Sequence, residues 1–88
     1  MRLLTTRRFE RDLKRVKKRG KRLEKLKVVT DTLLTGQTLP PRYRVHQLSG
    51  NWQAFWECHV EPDWLLIWEQ DEDLLILTRT GTHSDLFG

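Results

Sequence analysis

At 88 residues the chain has room for one domain with a single modest core. Hydrophobic residues make up 38% and charged residues 32%, which fits a soluble globular class; no apolar run approaches the ~20 residues of a membrane helix, and one cysteine, Cys58, excludes an internal disulfide framework. The net charge of +4 hides a split, because residues 1–50 carry 15 Lys and Arg against 4 acids, whereas residues 51–88 carry one Arg, Arg79, against 8 acids.

A cationic first half predicts a polyanionic partner bound through salt-dependent phosphate contacts. The N-terminus lacks the apolar core of a signal peptide. A reduced, cytoplasmic location is therefore expected.

In chain order, Arg2 to Leu4 suits a short strand, and Thr5 or Thr6 can cap a following helix. Phe9, Leu13 and Val16 form a narrow apolar stripe that predicts a helix over 7–19, with Gly20 as its stop. Leu23, Leu26, Val29 and Leu33 predict a second helix running toward Gly36. The two make a helical hairpin. Between Arg7 and Lys27, 12 of 21 residues are Lys or Arg. Exposed helix faces ordinarily mix both signs, so Arg8, Arg11, Lys14, Arg15 and Lys18 are read as a surface that follows a nucleic-acid backbone.

Thr38 to Pro41 cannot continue a helix. Beyond it the period changes to that of strands. Arg42 to Leu48 alternates partly, Ser49 to Asn51 is turn chemistry, and Trp52 to Val60 reads as a strand with Trp52, Trp56, Cys58 and Val60 on one face and Phe55, Glu57 and His59 on the other. After a Glu61-Pro62-Asp63 turn, the almost continuous apolar run from Trp64 to Trp68 predicts a central strand buried on both faces. Leu74 to Thr80 is the last strand. Residues 84–87 are too few to classify. The expected class is α+β, a helical hairpin on one face of a small, largely antiparallel sheet whose other face stays available.

His46, His59 and His83 all fall at strand edges or in loops, together with Asp63 and Arg79. Imidazole can take and give a proton near neutral pH, and a guanidinium can stabilise charge developing on phosphate. Beside a basic surface these groups suit RNA transesterification without a metal or other cofactor. Tyr43, Trp64 and Phe87 can stack on unpaired bases, although core packing explains Trp64 equally well. The spacing disfavours a metal site: Cys58 and His59 point to opposite faces of a strand, and no Cys-x-x-Cys or His-x-x-x-His pair occurs.

The segments His46 to Trp52, Cys58 to Ile67 and Arg79 to Phe87 resemble the YafQ branch of the RelE/ParE toxin superfamily. The likeness spans nearly the whole chain and is most specific in the last 43 residues. It implies a RelE-like fold over 1–88 and the toxin of a type II toxin-antitoxin system: a ribosome-dependent endoribonuclease that cuts mRNA without metal and is neutralised in a hetero-oligomer with a cognate antitoxin. It places His46, His59, Asp63, Arg79, His83 and Phe87 at functional positions, with Arg79 holding the scissile phosphate, His59 and His83 transferring protons in an order left open, Asp63 either orienting a histidine or acting as the base itself, and Phe87 positioning a base or supporting the tail. Trp56 stands where relatives often carry Arg, and Trp68 where they often carry Tyr. The competing readings are a ParE-like gyrase poison, which leaves the histidines unexplained, and a plain RNA- or ribosome-binding module, for which the basic helices suffice.

Overall fold

The computed structural model describes residues 1–88. Strand β1 (Arg2–Thr5) leads into α1 (Arg7–Lys18) and α2 (Leu23–Leu34); β2 (His46–Gln47), β3 (Trp56–Glu61), β4 (Trp64–Gln70) and β5 (Leu74–Gly81) follow, and α3 (His83–Phe87) ends the chain. The sheet order is β1-β5-β4-β3-β2. Every pairing is antiparallel except β1 with β5, which is parallel. The expected α+β class with its helical hairpin holds.

Local chemistry sets the helix limits. The Thr6 hydroxyl accepts from the Phe9 N–H, capping α1. Its proton goes to the Thr78 carbonyl of β5 at 2.8 Å, so the same side chain anchors the helix to the sheet. At the other end Gly20 takes φ +85, and the Lys21 N–H reaches back to the Val16 carbonyl. This closure needs a left-handed residue, which glycine supplies without a Cβ clash.

Phe9 and Val16 of α1 and Leu26 and Val29 of α2 pack on one sheet face against Cys58, Trp64, Leu66 and Trp68. The other face is not left open. Leu65 and Ile67 are covered there by Leu86 of α3 and by Leu48, Trp52 and Phe55. β4 is thus buried on both sides, as its unbroken apolar run predicts. Trp52 corrects the expected strand: residues 50–52 form a 3-10 turn, β3 begins only at Trp56, and the indole crosses to the face opposite Trp56. Turn-forming Ser49-Gly50-Asn51 prevails over the alternation because the strand pairing stops at Gln47 and Trp56. No helix is long and apolar enough to cross a membrane.

Two register slips shape the strand ends near α3. One lies between His59 and Glu61 on β3, and one on β5, where Arg79 faces Ile67 but Leu77 faces Trp68. β1 pairs with β5 only as far as Leu77. Beyond it, Asp12 of α1 takes over: its carboxylate accepts from the Thr80 N–H at 3.1 Å and from Arg79 Nε at 2.7 Å and Nη2 at 3.2 Å. Both charged side chains are buried.

Removing Asp12 strands a buried guanidinium and a backbone N–H. Asp12→Ala is expected to destabilise the fold by about 3–5 kcal/mol, whereas Asp12→Leu combined with Arg79→Met recovers most of the loss. Urea unfolding of the three proteins tests this; equal losses in the single and double variants would contradict it.

Candidate active site

The turn between β3 and β4 places Asp63 beside the start of α3. Asp63 Oδ1 accepts from both the His83 backbone N–H, at 3.0 Å, and His83 Nδ1, at 2.7 Å. A carboxylate accepts only, so Nδ1 carries the proton and Nε2 points its lone pair outward. Those same bonds, the backbone one first, hold the Asp63 carboxyl below the usual carboxylate range. It stays ionised at neutral pH and fixes the tautomer and orientation of His83.

His59 is arranged in the same way with a weaker partner. Its Nδ1 lies 3.1 Å from the Pro62 carbonyl, an acceptor, so again Nε2 is left free. The two imidazole centroids are 5.8 Å apart and their planes are inclined by 51°. Two free Nε2 atoms on facing rings form a pair in which one group can remove a proton and the other can supply one.

His46 is placed differently. Nδ1 lies 2.7 Å from the Arg44 carbonyl and Nε2 lies 3.1 Å from Glu57 Oε1. With an acceptor on each side, the ring cannot shuttle a proton without giving up one contact. It braces β2 to β3. Glu57, its cross-strand neighbour and a buried carboxylate, had no sequence signal of its own until the register was known.

Arg79 departs most from expectation. It is 8% exposed, donates twice to Asp12, and shares no hydrogen bond or ion pair with Asp63, His59 or His83. Two of its three guanidinium nitrogens, Nε and Nη2, brace β5 to α1 through Asp12, and Nη1 makes no hydrogen bond within the protein. Trp64 is also core: it is 1% exposed, with Nε1 donating to Thr80 Oγ1 at 2.9 Å. Its ring cannot stack on a base. Tyr43 is half-buried under the Arg42 guanidinium, 4.9 Å from the ring centroid. Phe87 is 48% exposed and held edge-on against Trp52 at 5.7 Å. Trp56 is half-buried against the helix-side core, and Trp68 is buried with Nε1 on Gln70.

Arg8, Arg11, Lys14 and Lys18 are exposed on α1 and have no acidic partner, while Arg15 reaches Asp85 at 3.4 Å. Asp85 is the other residue that sequence reasoning missed. It completes a capping box with Thr82, accepting from the Thr82 N–H at 3.0 Å, and it receives both terminal nitrogens of Arg19. The signal was present as Thr82-x-x-Asp85. Gly81 is required here, since a Cβ would come within 2.8 Å of Asp85 Oδ2. The clasp fixes α3, which carries His83 at its first position.

The buried Cys58 thiol is pushed up to about 12, mainly by burial and then by Glu57, and is inert as a nucleophile. No three His, Cys, Asp or Glu side chains converge in a way that could hold a metal ion.

The fold is a small α+β domain that presents two oriented imidazoles, a carboxylate and a cationic helix. The family model for the bacterial toxin of type II toxin-antitoxin system, YafQ, matches residues 1–88. The chain belongs to that family. It is 45% identical over 82 residues to the mRNA interferase toxin YafQ of Escherichia coli K12, covering 91% of this chain and 88% of the relative. The crystal structure of YafQ from E. coli BL21(DE3) superposes with a TM-score of 0.95 at 38% identity, covering 99% of this chain and 98% of the other. YafQ in the E. coli DinJ-YafQ complex gives a TM-score of 0.92 at 39% identity, with 99% and 98% coverage.

Arg19 is the first cause that holds the Asp85 carboxyl far below the usual range. A depressed carboxyl stabilises the fold above its unfolded value of about 3.9 and loses that contribution as pH falls toward the folded value. Thermal midpoints should therefore decline on acidification below about pH 4, and Asp85→Asn should flatten that decline. An unchanged acid limb in Asp85→Asn would refute the clasp.

Proposed function

We propose that this chain is the toxin of a type II toxin-antitoxin system acting as a ribosome-dependent, metal-independent endoribonuclease on mRNA, and so inhibiting translation. The single observation that carries the reading is the facing pair His59 and His83, each with Nδ1 pinned and Nε2 free. One imidazole removes the 2′-hydroxyl proton as that oxygen bonds to phosphorus, and the other protonates the departing 5′-oxygen as its bond to phosphorus breaks.

The partners distribute the roles. Asp63, 2.7 Å away, compensates the charge of a doubly protonated His83, while His59 has only a carbonyl neighbour. His83 is assigned as the acid and His59 as the base. Arg19 has both terminal nitrogens on Asp85, whereas Arg79 keeps Nη1 unpaired beside its bonds to Asp12, so charge on the phosphorane falls to that nitrogen and to the unpaired surface cations. The unpaired Arg8, Arg11, Lys14 and Lys18 supply salt-dependent affinity for ribosomal and messenger RNA phosphates, and Phe87 offers an aromatic edge beside the site.

A cognate antitoxin is the second partner. An acidic segment laid over α1 or the histidine pair would neutralise the toxin by charge and by occlusion in the cytoplasm.

His59→Ala and His83→Ala should each slow cleavage of ribosome-bound mRNA by roughly 10²–10⁴-fold, read by primer extension, and abolish growth arrest on induction. Activity should persist in EDTA. A His83→Ala protein that yields the same RNA ends at the same rate would sink the proposal, and DNA damage without new RNA ends would favour a gyrase poison instead.

A further inference from the structure

Beside His59 a cleft of about 530 Å³ opens between α2, the 41–44 turn and the β3–β4 hairpin. Its volume is within the range of small-ligand sites, about 300–1,000 Å³. Resting on the ribonuclease reading, we infer that it is a nucleotide subsite that seats the RNA residue next to the scissile phosphate, with its base against Tyr43 and Val28 and its phosphate on Arg42 and Arg44.

Four observations converge on that chemistry. The apolar lining is small, consisting of Val28, which is 55% exposed, with Tyr43 and Val60. Such a surface suits one flat heterocycle better than the apolar stripe of a partner helix. The Arg42 guanidinium lies over the Tyr43 ring and its Nη2 donates to the Tyr43 hydroxyl at 3.0 Å, forming a stacked cationic platform of the kind unpaired bases use.

Charge points the same way. Lys25, also on the rim, is paired with Glu61, which it shares with Lys21, while Arg42 and Arg44 have no acidic partner. Two guanidinium groups therefore remain for an anion.

Preorganisation is the third feature. Arg44 has φ +50, a left-handed conformation that costs a non-glycine residue energy. It is held by its own N–H on the Pro41 carbonyl and by its carbonyl on His46 Nδ1, with Glu57 pinning the other side of the imidazole. His46 thus acts as a positioning residue for the wall of this cleft.

Continuity is the fourth. His59 lines the cleft while its ring faces His83 at 5.8 Å, so a nucleotide seated there is one step from the reacting phosphate.

The test uses the full chain and a short single-stranded oligoribonucleotide of mixed sequence, with binding read by fluorescence anisotropy and by NMR shifts. Tyr43→Ala should weaken binding roughly tenfold and Tyr43→Phe should restore it, since stacking needs the ring and not the hydroxyl. Arg44→Gly accepts the left-handed conformation without strain, so folding is preserved, and it should lower the salt slope of log K by about 0.7. Arg2→Ala, at the opposite edge of the sheet, is the control. On ribosome-bound mRNA, Tyr43→Ala should raise KM more than it lowers kcat and change which nucleotide adjoins the cut.

Binding by Tyr43→Ala and Arg44→Gly equal to that of Arg2→Ala, with melting temperatures intact, overturns the subsite whether or not the protein cleaves RNA. Loss of affinity for an acidic antitoxin peptide with RNA binding intact assigns the cleft to the protein partner and also overturns it. RNA seated in the cleft without any cleavage of mRNA keeps the subsite and refutes the ribonuclease reading.

Discussion

The buried contact of Asp12 with Arg79 and the Thr80 N–H is the constraint on which the rest of the site depends. It joins the cationic half of the chain to the acidic half by pairing the one acid on the buried face of α1 with the only cation after residue 50. Burying two charges is costly, and three hydrogen bonds into one carboxylate offset that cost. What it gives the molecule is specificity of placement. It sets where α1 crosses β5, at the point where β1 has ended and β5 would otherwise expose an unpaired edge.

Placement of α1 then propagates to the chemistry. Its last turn carries Arg15 and its C-cap residue is Arg19, and both meet Asp85. Asp85 in turn caps α3, whose first residue is His83. The histidine is thereby positioned from two sides: by Asp63 from the β3–β4 turn, and by a clasp anchored on a helix more than 60 residues earlier in the chain. The slip on β3 lies beside His59, and such irregularities commonly re-aim side chains at functional sites. A five-residue helix has little stability of its own, so the precision of the site comes from these attachments.

Electrostatics divides the surface by role. Lys21 and Lys25 are tied to Glu61, and Arg15 and Arg19 to Asp85. These cations organise the fold. Arg8, Arg11, Lys14 and Lys18 on α1, and Arg42 and Arg44 near His59, have no acidic partners and stay unpaired at the surface. The same total charge thus falls into a paired and an unpaired set, which composition could not separate.

Much of this was legible in the sequence because it depends on local chemistry. Thr6 and Gly20 marked the limits of α1, the unbroken apolar run marked β4 as the central strand, and the His59-Asp63-His83 set was visible from side-chain chemistry and from likeness to a toxin family. The sequence could not tell a cation that binds substrate from one that braces the fold, because that depends on which acid lies within 3 Å across the chain. Arg79, the apparent phosphate ligand, is paired with an acid 67 positions away. Trp64 is core, and His46 has both nitrogens engaged by Arg44 and Glu57. Sequence by itself determined the elements and the chemical groups available; only the tertiary structure decided which of those groups keep a free nitrogen, since pairing across strands and helices is set by register and packing.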